Sequence, residues 1–223
     1  MRKPKLLDLF CGAGGAAKGY AEAGFNVVGI DNKRQPRYPF NFYQRDAIDV
    51  LRREDLSHFD VIHASPPCQF YSVNRFTSSG KGLNHPDSIA EVRTLLRATG
   101  KPYVIENVQG APLEYPVMLC GTQFGLKVFR HRFFESNVMM FCPTHLTHTD
   151  KACRQGMKPK ENEFVIVTGN FSGVEAGRKA MGIEWMVRSE LTQAIPPEYT
   201  KYLGGQLINA LSNQRKIEER MAA

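Results

Sequence analysis

The stretch LLDLFCGAGGAAKGYAEAGFNVVGID, residues 6–31, decides the fold of this chain. Its apolar start, Leu6 to Phe10, has the length of a buried strand, and the glycine-rich segment 12–15 that follows favours a tight turn. Ala16 to Ala23 has the composition of a helix, and the valine-rich run Phe25 to Ile30 is typical of a second strand. The stretch therefore predicts a unit of strand, turn, helix and strand.

The same alternation continues along the chain. Phe59 to Ala64 and Pro102 to Ile105 are short apolar runs, of the kind expected in a sheet that is covered on both faces. Between them, Ser88-Ile-Ala-Glu91 has the spacing of a capping box and predicts a helix that reaches Ala98. This order predicts an α/β fold with a doubly wound, mostly parallel sheet, whose ligands bind beyond the carboxyl ends of the strands.

Two segments interrupt the alternation. Residues 69–86 are rich in serine, glycine and asparagine and predict a long loop, whereas residues 141–163 carry cysteines, histidines and basic residues and predict a short insertion. Strand-like sequence resumes at Phe164 to Thr168, and Pro197 to Met221 predicts a final helix. We therefore divide the chain into a catalytic and cofactor-binding domain (1–140), the short insertion (141–163) and a C-terminal part that completes the first domain (164–223).

Composition narrows the class of protein without identifying it. With 223 residues and 42% hydrophobic content, the chain can bury one substantial core. The net charge of +7 suits a polyanionic partner and suits simple solubility equally well. Five cysteines at irregular spacing favour reduced thiols, and we expect a cytoplasmic protein. A signal peptide's apolar region and a membrane-length apolar run are both missing, so we expect no membrane partner.

The turn after the first strand has the features of a nucleotide-binding turn. Gly12-Ala-Gly-Gly-Ala-Ala17 fits the pattern G-x-G-x-x-A, and Asp31 ends the next strand. Glycines let a ligand approach the backbone at a helix N-terminus, and the acid can accept hydrogen bonds from ribose hydroxyls. An adenosine-bearing ligand is predicted, and a dinucleotide and S-adenosylmethionine both fit.

A thiol and an acid follow two other predicted strands. Cys68 stands in Ser65-Pro-Pro-Cys-Gln69, directly after the strand that ends at Ala64, and two prolines stiffen that turn. A thiol held rigidly at a strand end is a candidate nucleophile. Glu106 follows the strand that ends at Ile105, and it borders the same crevice, where it can act as an acid.

These segments resemble the motifs of the DNA (cytosine-5)-methyltransferase family. The matching residues are Asp8-Leu-Phe-Cys-Gly-Ala-Gly-Gly15, Ser65-Pro-Pro-Cys-Gln69 and Glu106-Asn-Val108, and the likeness holds from residue 5 to about residue 135. It implies a Rossmann-like methyltransferase fold, S-adenosylmethionine as the cofactor and DNA as the partner. Compact chains of this kind resemble phage modification enzymes.

The resemblance also implies a role for each matching residue. Cys68 is the covalent nucleophile, Glu106 is its acid partner at ring nitrogen N3 of cytosine, and Arg132 orients the base. Pro67, Gln69, Asn107 and Arg130 are implied to bind substrate. The implied cofactor residues are Phe10, which stacks on the adenine, Gly12 and Gly14, which shape the turn, Asp31, which binds the ribose, and Asp46, which contacts the adenine amino group.

The chain departs from the family pattern in its second half. Arg130-His-Arg132 resembles the family's paired-arginine motif, which we call the arginine motif, and Val128 stands where that motif has glutamine. Tyr202-Leu-Gly-Gly-Gln206 resembles the family's last motif, and Gly205 stands where that motif has asparagine. Arg132 and Arg188 are only 56 positions apart, a much shorter interval than the family's usual target-recognition segment. We therefore predict a short target, loose specificity or a specificity-conferring partner protein. A monomer is one of the states open to the chain.

The insertion also carries candidate metal ligands, Cys142, His145, His148 and Cys153. Their spacing differs from that of common zinc modules, and scattered histidines and cysteines on a polar loop commonly bind nothing.

Three functional alternatives stay open: the same chemistry on cytosine in RNA, a non-catalytic module that binds nucleic acid or cofactor, and a nicotinamide-dependent enzyme built on the same turn. Intact Cys68 and Glu106 argue against the non-catalytic module, and the nicotinamide-dependent enzyme leaves Cys68 without a role.

Overall fold

A seven-stranded mixed sheet forms the centre of the part of the chain that the structure describes. This computed structural model describes residues 2–67, 88–153, 157–160 and 163–222. The strands are β1 Lys5–Leu9, β2 Asn26–Asp31, β3 Asn41–Gln44, β4 Val61–Ala64, β5 Tyr103–Asn107, β6 Val117–Leu119 and β7 Arg132–Ser136. Their order is β3-β2-β1-β4-β5-β7-β6, with all neighbours parallel except β7, which runs antiparallel to β5 and to β6.

Helices cover both faces of the sheet. They are α1 Gly15–Ala23, α2 Ala47–Arg53, α3 Ser88–Ala98, α4 Val174–Met181, α5 Arg188–Leu191 and α6 Pro197–Ala222, and a 3-10 turn spans Gly121–Phe124. Successive residues of the central strands point to opposite faces. Leu6 packs with α1 and α6, whereas Leu7 packs with α2 and α3. Among the described residues, no helix is long and apolar enough to cross a membrane.

The predicted fold class is confirmed, and one predicted strand is wrong. The sheet is doubly wound and mostly parallel, and α3 spans the predicted residues Ser88–Ala98. Residues 164–168 do not join the sheet. They make only isolated bridges, Val128 to Val165 and Ala152 to Phe164. An apolar run with buried Val165 and Val167 signals burial, and here that burial is against α4 and α5 rather than within a sheet.

The strand directions gather the sequence motifs at one edge. The glycine turn follows β1, Asp31 ends β2, Ser65 follows β4 and Asn107 ends β5. Because β7 runs in the opposite direction, its first residue, Arg132, lies at this same edge. The carboxyl edge of the parallel strands is where doubly wound folds bind their ligands.

Candidate active site

The turn after β1 is held in a left-handed backbone conformation. Phe10 has φ 57°, Gly12 has φ 50° and Gly14 has φ 87°. A non-glycine residue in this region costs about 1–3 kcal/mol, which the surrounding bonds must offset. The backbone N–H of Cys11 donates to the carbonyl of Ile30 (3.1 Å), and that of Gly12 donates to Asp31 Oδ2 (3.0 Å). The carboxylate of Asp31 thereby fixes the turn against the end of β2.

The residues around this turn fit an adenosine-bearing cofactor. A Cβ built on Gly12 would meet no atom within 4 Å, so there is open space in front of its backbone. Phe10 and Asp31 are both half-buried beside it. A carboxylate oxygen has more than one acceptor site, so Asp31 can bind the turn and still accept from a ribose hydroxyl. Asp46 is exposed and caps α2, accepting on Oδ1 from Ile48 (2.9 Å) and Asp49 (3.0 Å).

Glu106 and Arg132 form a buried ion pair at the end of β5. Arg132 Nε lies 2.9 Å from Glu106 Oε1, and the two side chains are 14% and 8% exposed. Burial raises the pKa of Glu106, while Arg132 and a hydrogen bond from the Ser65 hydroxyl lower it. The net shift is upward. Glu106 is therefore a buried carboxyl group that can hold a proton and donate it within the site.

Behind Glu106 lies a chain of buried polar groups that the sequence analysis missed. The Tyr20 hydroxyl is 3.0 Å from His63 Nδ1, and His63 Nε2 is 2.9 Å from Ser65 Oγ. Burial lowers the pKa of His63 to about 3, so its ring is neutral. A neutral imidazole has one donor and one acceptor, which suits donation from Tyr20 through His63 and Ser65 to Glu106. A histidine within the otherwise apolar run 61–64 was the available signal.

Asn107 joins the end of β5 to the proline turn. Its side-chain amide donates to the carbonyl of Pro66 (3.0 Å), and the Ser65 N–H donates to the carbonyl of Leu9 (3.1 Å). Asn107 and Pro66 are buried, whereas Pro67 is exposed. The turn that leads to Cys68 is thus anchored on both neighbouring strands. Cys68, Gln69 and the predicted loop 69–86 lie outside the described residues.

Comparisons with known proteins agree with this geometry. The family model described as C-5 cytosine-specific DNA methylase matches residues 4–113. The Type II methyltransferase M.HgiGI of Herpetosiphon aurantiacus is 32% identical over 126 residues, which cover 49% of this chain and 94% of that one. The chain belongs to the C-5 cytosine-specific DNA methylase family. The cofactor of this family is S-adenosylmethionine.

Other relatives of the family are much longer than the matched region. The Type II methyltransferase M.HgiCI of Herpetosiphon aurantiacus is 30% identical over 117 residues, which are 48% of this chain but only 27% of the relative. Among solved structures, the Dnmt2 methyltransferase of S. pombe superposes with a TM-score of 0.63 at 12% identity, covering 94% of this chain and 99% of that one. At this identity the superposition supports the fold, which is the Rossmann-like fold of methyltransferases.

Arg130, one of the two arginines in the family's arginine motif, is buried and makes contacts within the protein. Arg130 is 4% exposed, and its guanidinium donates to the carbonyls of Val167 (2.8 Å) and Thr192 (2.7 Å). It therefore ties β7 to the C-terminal part, which differs from the substrate contact that the resemblance implies. Arg132, two residues on, faces Glu106 instead.

Only two of the four candidate metal ligands, His145 and His148, belong to a group of converging donor atoms in the described residues. Among the described residues, the group whose donor atoms converge contains Cys120, His131, His145 and His148. Cys142 is exposed, and Cys153 is buried apart from this group. Sequence spacing favoured ligands within the insertion, whereas Cys120 directly follows β6 and His131 directly precedes β7.

Proposed function

We propose that this protein transfers the methyl group of S-adenosylmethionine to carbon 5 of cytosine in DNA. The buried pair of Glu106 and Arg132, next to the proline turn that leads to Cys68, is the observation that carries the proposal. Family membership agrees with it. This chain spans 27% of M.HgiCI and 38% of M.HgiDI, so the activity of the whole protein remains a proposal.

The proposed reaction begins with a target base that is turned out of the helix, because carbon 5 and carbon 6 are otherwise stacked between neighbours. The Cys68 thiolate adds to carbon 6 and forms a carbon–sulphur bond. The protonated Glu106 donates a hydrogen bond to N3, which stabilises the negative charge that the addition of the thiolate places on the ring. S-adenosylmethionine supplies the methyl group at carbon 5. The cofactor would leave as S-adenosylhomocysteine. A water molecule then takes the carbon 5 proton, and the electrons of that C–H bond restore the 5,6 double bond as the carbon–sulphur bond breaks and Cys68 leaves as a thiolate.

The described side chains support the acid step in particular. Arg132 forms an ion pair with Glu106, and the Ser65 hydroxyl donates a hydrogen bond to the same carboxyl group. Asn107 fixes the position of Pro66 and therefore the start of the turn that carries Cys68. Asp31, Phe10 and the Gly12 turn would hold the cofactor, with the ribose at Asp31 and open space at Gly12.

The short interval between Arg132 and Arg188 supports a proposal about specificity. We propose that the target is short, or that a partner protein supplies recognition. The division into residues 1–140, 141–163 and 164–223 also stays a proposal, as does action in the cytoplasm.

The test is methylation of unmodified DNA with methyl-labelled S-adenosylmethionine, followed by digestion to nucleosides. We expect labelled 5-methylcytosine from the wild type and from Cys142→Ala, an exposed thiol that serves as the matched control. Cys68→Ala should lose turnover and keep cofactor binding. Glu106→Gln should be slower by about 10²–10⁴-fold, the range of general acid catalysis.

Three outcomes would change the proposal. Continued methylation by Cys68→Ala would remove the covalent mechanism. Label in RNA cytosine with none in DNA would move the same chemistry to an RNA substrate, and label in neither would favour a non-catalytic binding module.

A further inference from the structure

Four donor atoms from three separate segments converge beside the candidate active site. They belong to Cys120, which follows β6, to His131, which precedes β7, and to His145 and His148 in the insertion. All four lie within 4.8 Å of one another. Cys120 is buried and the three histidines are half-buried.

The distances within this cluster match a tetrahedral metal site. His145 Nε2 is 3.0 Å from His148 Nε2 and 3.3 Å from His131 Nε2, and His148 Nε2 is 3.4 Å from Cys120 Sγ. Ordinary zinc bond lengths place two tetrahedral nitrogens about 3.3 Å apart, and nitrogen and sulphur about 3.6 Å apart. The observed separations fall close to both values.

Hydrogen bonding among the rings does not account for this arrangement. Each Nε2 atom offers a single N–H or a single lone pair, directed along the plane of its ring. The His145 Nε2 atom nevertheless faces two other Nε2 atoms. The three ring centroids are 5.1, 5.0 and 4.9 Å apart, so the three imidazoles are nearly equidistant from one another. A cation between them would satisfy all three lone pairs.

Neighbouring groups orient the ligands. Phe164, Phe129 and His148 form a column of nearly parallel rings, with centroids 4.3 and 4.0 Å apart. The Thr122 hydroxyl donates to Cys120 Sγ at 3.4 Å, a contact that orients the sulphur. Supporting contacts of this kind are typical of built metal sites.

We propose that Cys120, His131, His145 and His148 bind one zinc ion as a structural site. Three imidazoles and a thiolate suit zinc, and four protein ligands close the site to substrate. The insertion needs such an anchor, because its large apolar side chains Phe141 and Leu146 are 66% and 76% exposed and make no core of their own. The zinc ion joins the insertion to His131, the neighbour of Arg132. This proposal is independent of the proposed reaction.

The first test is the metal content of protein purified without a histidine tag from zinc-supplemented cells. We expect about one zinc ion per chain in the wild type and in the matched control Cys142→Ser. Cys120→Ser and His148→Ala should lose most of it. A chelator should lower the thermal midpoint of the wild type and leave that of Cys120→Ser unchanged.

The second test works with wild-type protein alone, so it does not depend on the folding of the variants. Cobalt(II) added to metal-free protein should give the visible absorption of a tetrahedral site and a sulphur-to-cobalt charge-transfer band. A wild type that contains no zinc and gives no such spectrum would overturn the proposal. Loss of zinc in Cys142→Ser with retention in Cys120→Ser would equally overturn this ligand set. Methylation activity has no part in either readout.

Discussion

Glu106 shows how the site controls a proton at the scale of single residues. Burial favours its neutral form, whereas the Arg132 guanidinium and the Ser65 hydroxyl favour its charged form. The proposed reaction uses the protonated acid, so activity should fall as pH rises through the pKa of Glu106. That descending limb reports the balance of the three influences.

Ser65→Ala removes one of the three groups, Arg132, Ser65 and Arg130, that stabilise the carboxylate. The pKa of Glu106 should rise further, and the alkaline limb of the kcat/KM profile should move to higher pH. Ser212→Ala is the control, because that hydroxyl lies on the exposed part of α6 and bonds only within its helix in the described structure. The measurement is the pH dependence of methylation for the three proteins. An alkaline limb that stays in place or moves to lower pH in Ser65→Ala would contradict the assignment of the acid.

At the scale of elements, the packing of α1 on α6 depends on glycine. A Cβ on Gly19 would lie 2.0 Å from the carbonyl oxygen of Pro197 and 2.2 Å from Thr200 Oγ1, so the two helices would have to separate. The contact matters for the site because α1 begins directly after the cofactor turn. Thr200 also donates to the carbonyl of Ala16 at 2.8 Å.

Gly19→Ala should therefore lower the free energy of unfolding by about 1–3 kcal/mol, the usual cost of overpacking. Gly205→Ala is the matched control, since Gly205 lies within α6 and a Cβ there would meet no atom within 4 Å. This variant should gain up to about 1 kcal/mol from helix propensity. Urea unfolding measures both. Equal effects of the two substitutions would show that the close approach of the helices is unimportant.

The elements also show which parts of the structure were predictable from sequence. β1, β4 and β5 are short and almost fully buried, so each appears as an apolar run. β3 is mostly exposed and polar, and β6 has three residues, so neither has a pattern to detect. Site residues within local motifs could be identified, whereas the convergence of Cys120 and His131 on the insertion depends on long-range pairing of β6 and β7.

At the scale of the whole molecule, the charge distribution should decide how the protein meets DNA. The net charge is +7, and the insertion contributes exposed Lys151. The carbonyl of Lys151 accepts a hydrogen bond from the backbone N–H of Phe164. The ring of Phe164 stacks on Phe129, which directly precedes Arg130. Lys151 therefore lies near the carboxyl edge of the sheet. Lys216 is exposed at the other edge, since its neighbour Arg215 contacts Asp60 at the start of β4.

The affinity for DNA should fall with salt, because each phosphate contact releases bound counterions. Lys151→Gln should reduce the slope of log K against log salt by about 0.9, the value for one lost phosphate contact. Lys216→Gln removes the same charge from the opposite edge and should leave the slope unchanged. Fluorescence anisotropy with a labelled duplex at several salt concentrations measures both slopes. If the two substitutions reduce the slope equally, the net charge alone drives binding, and the insertion has no special position on the DNA.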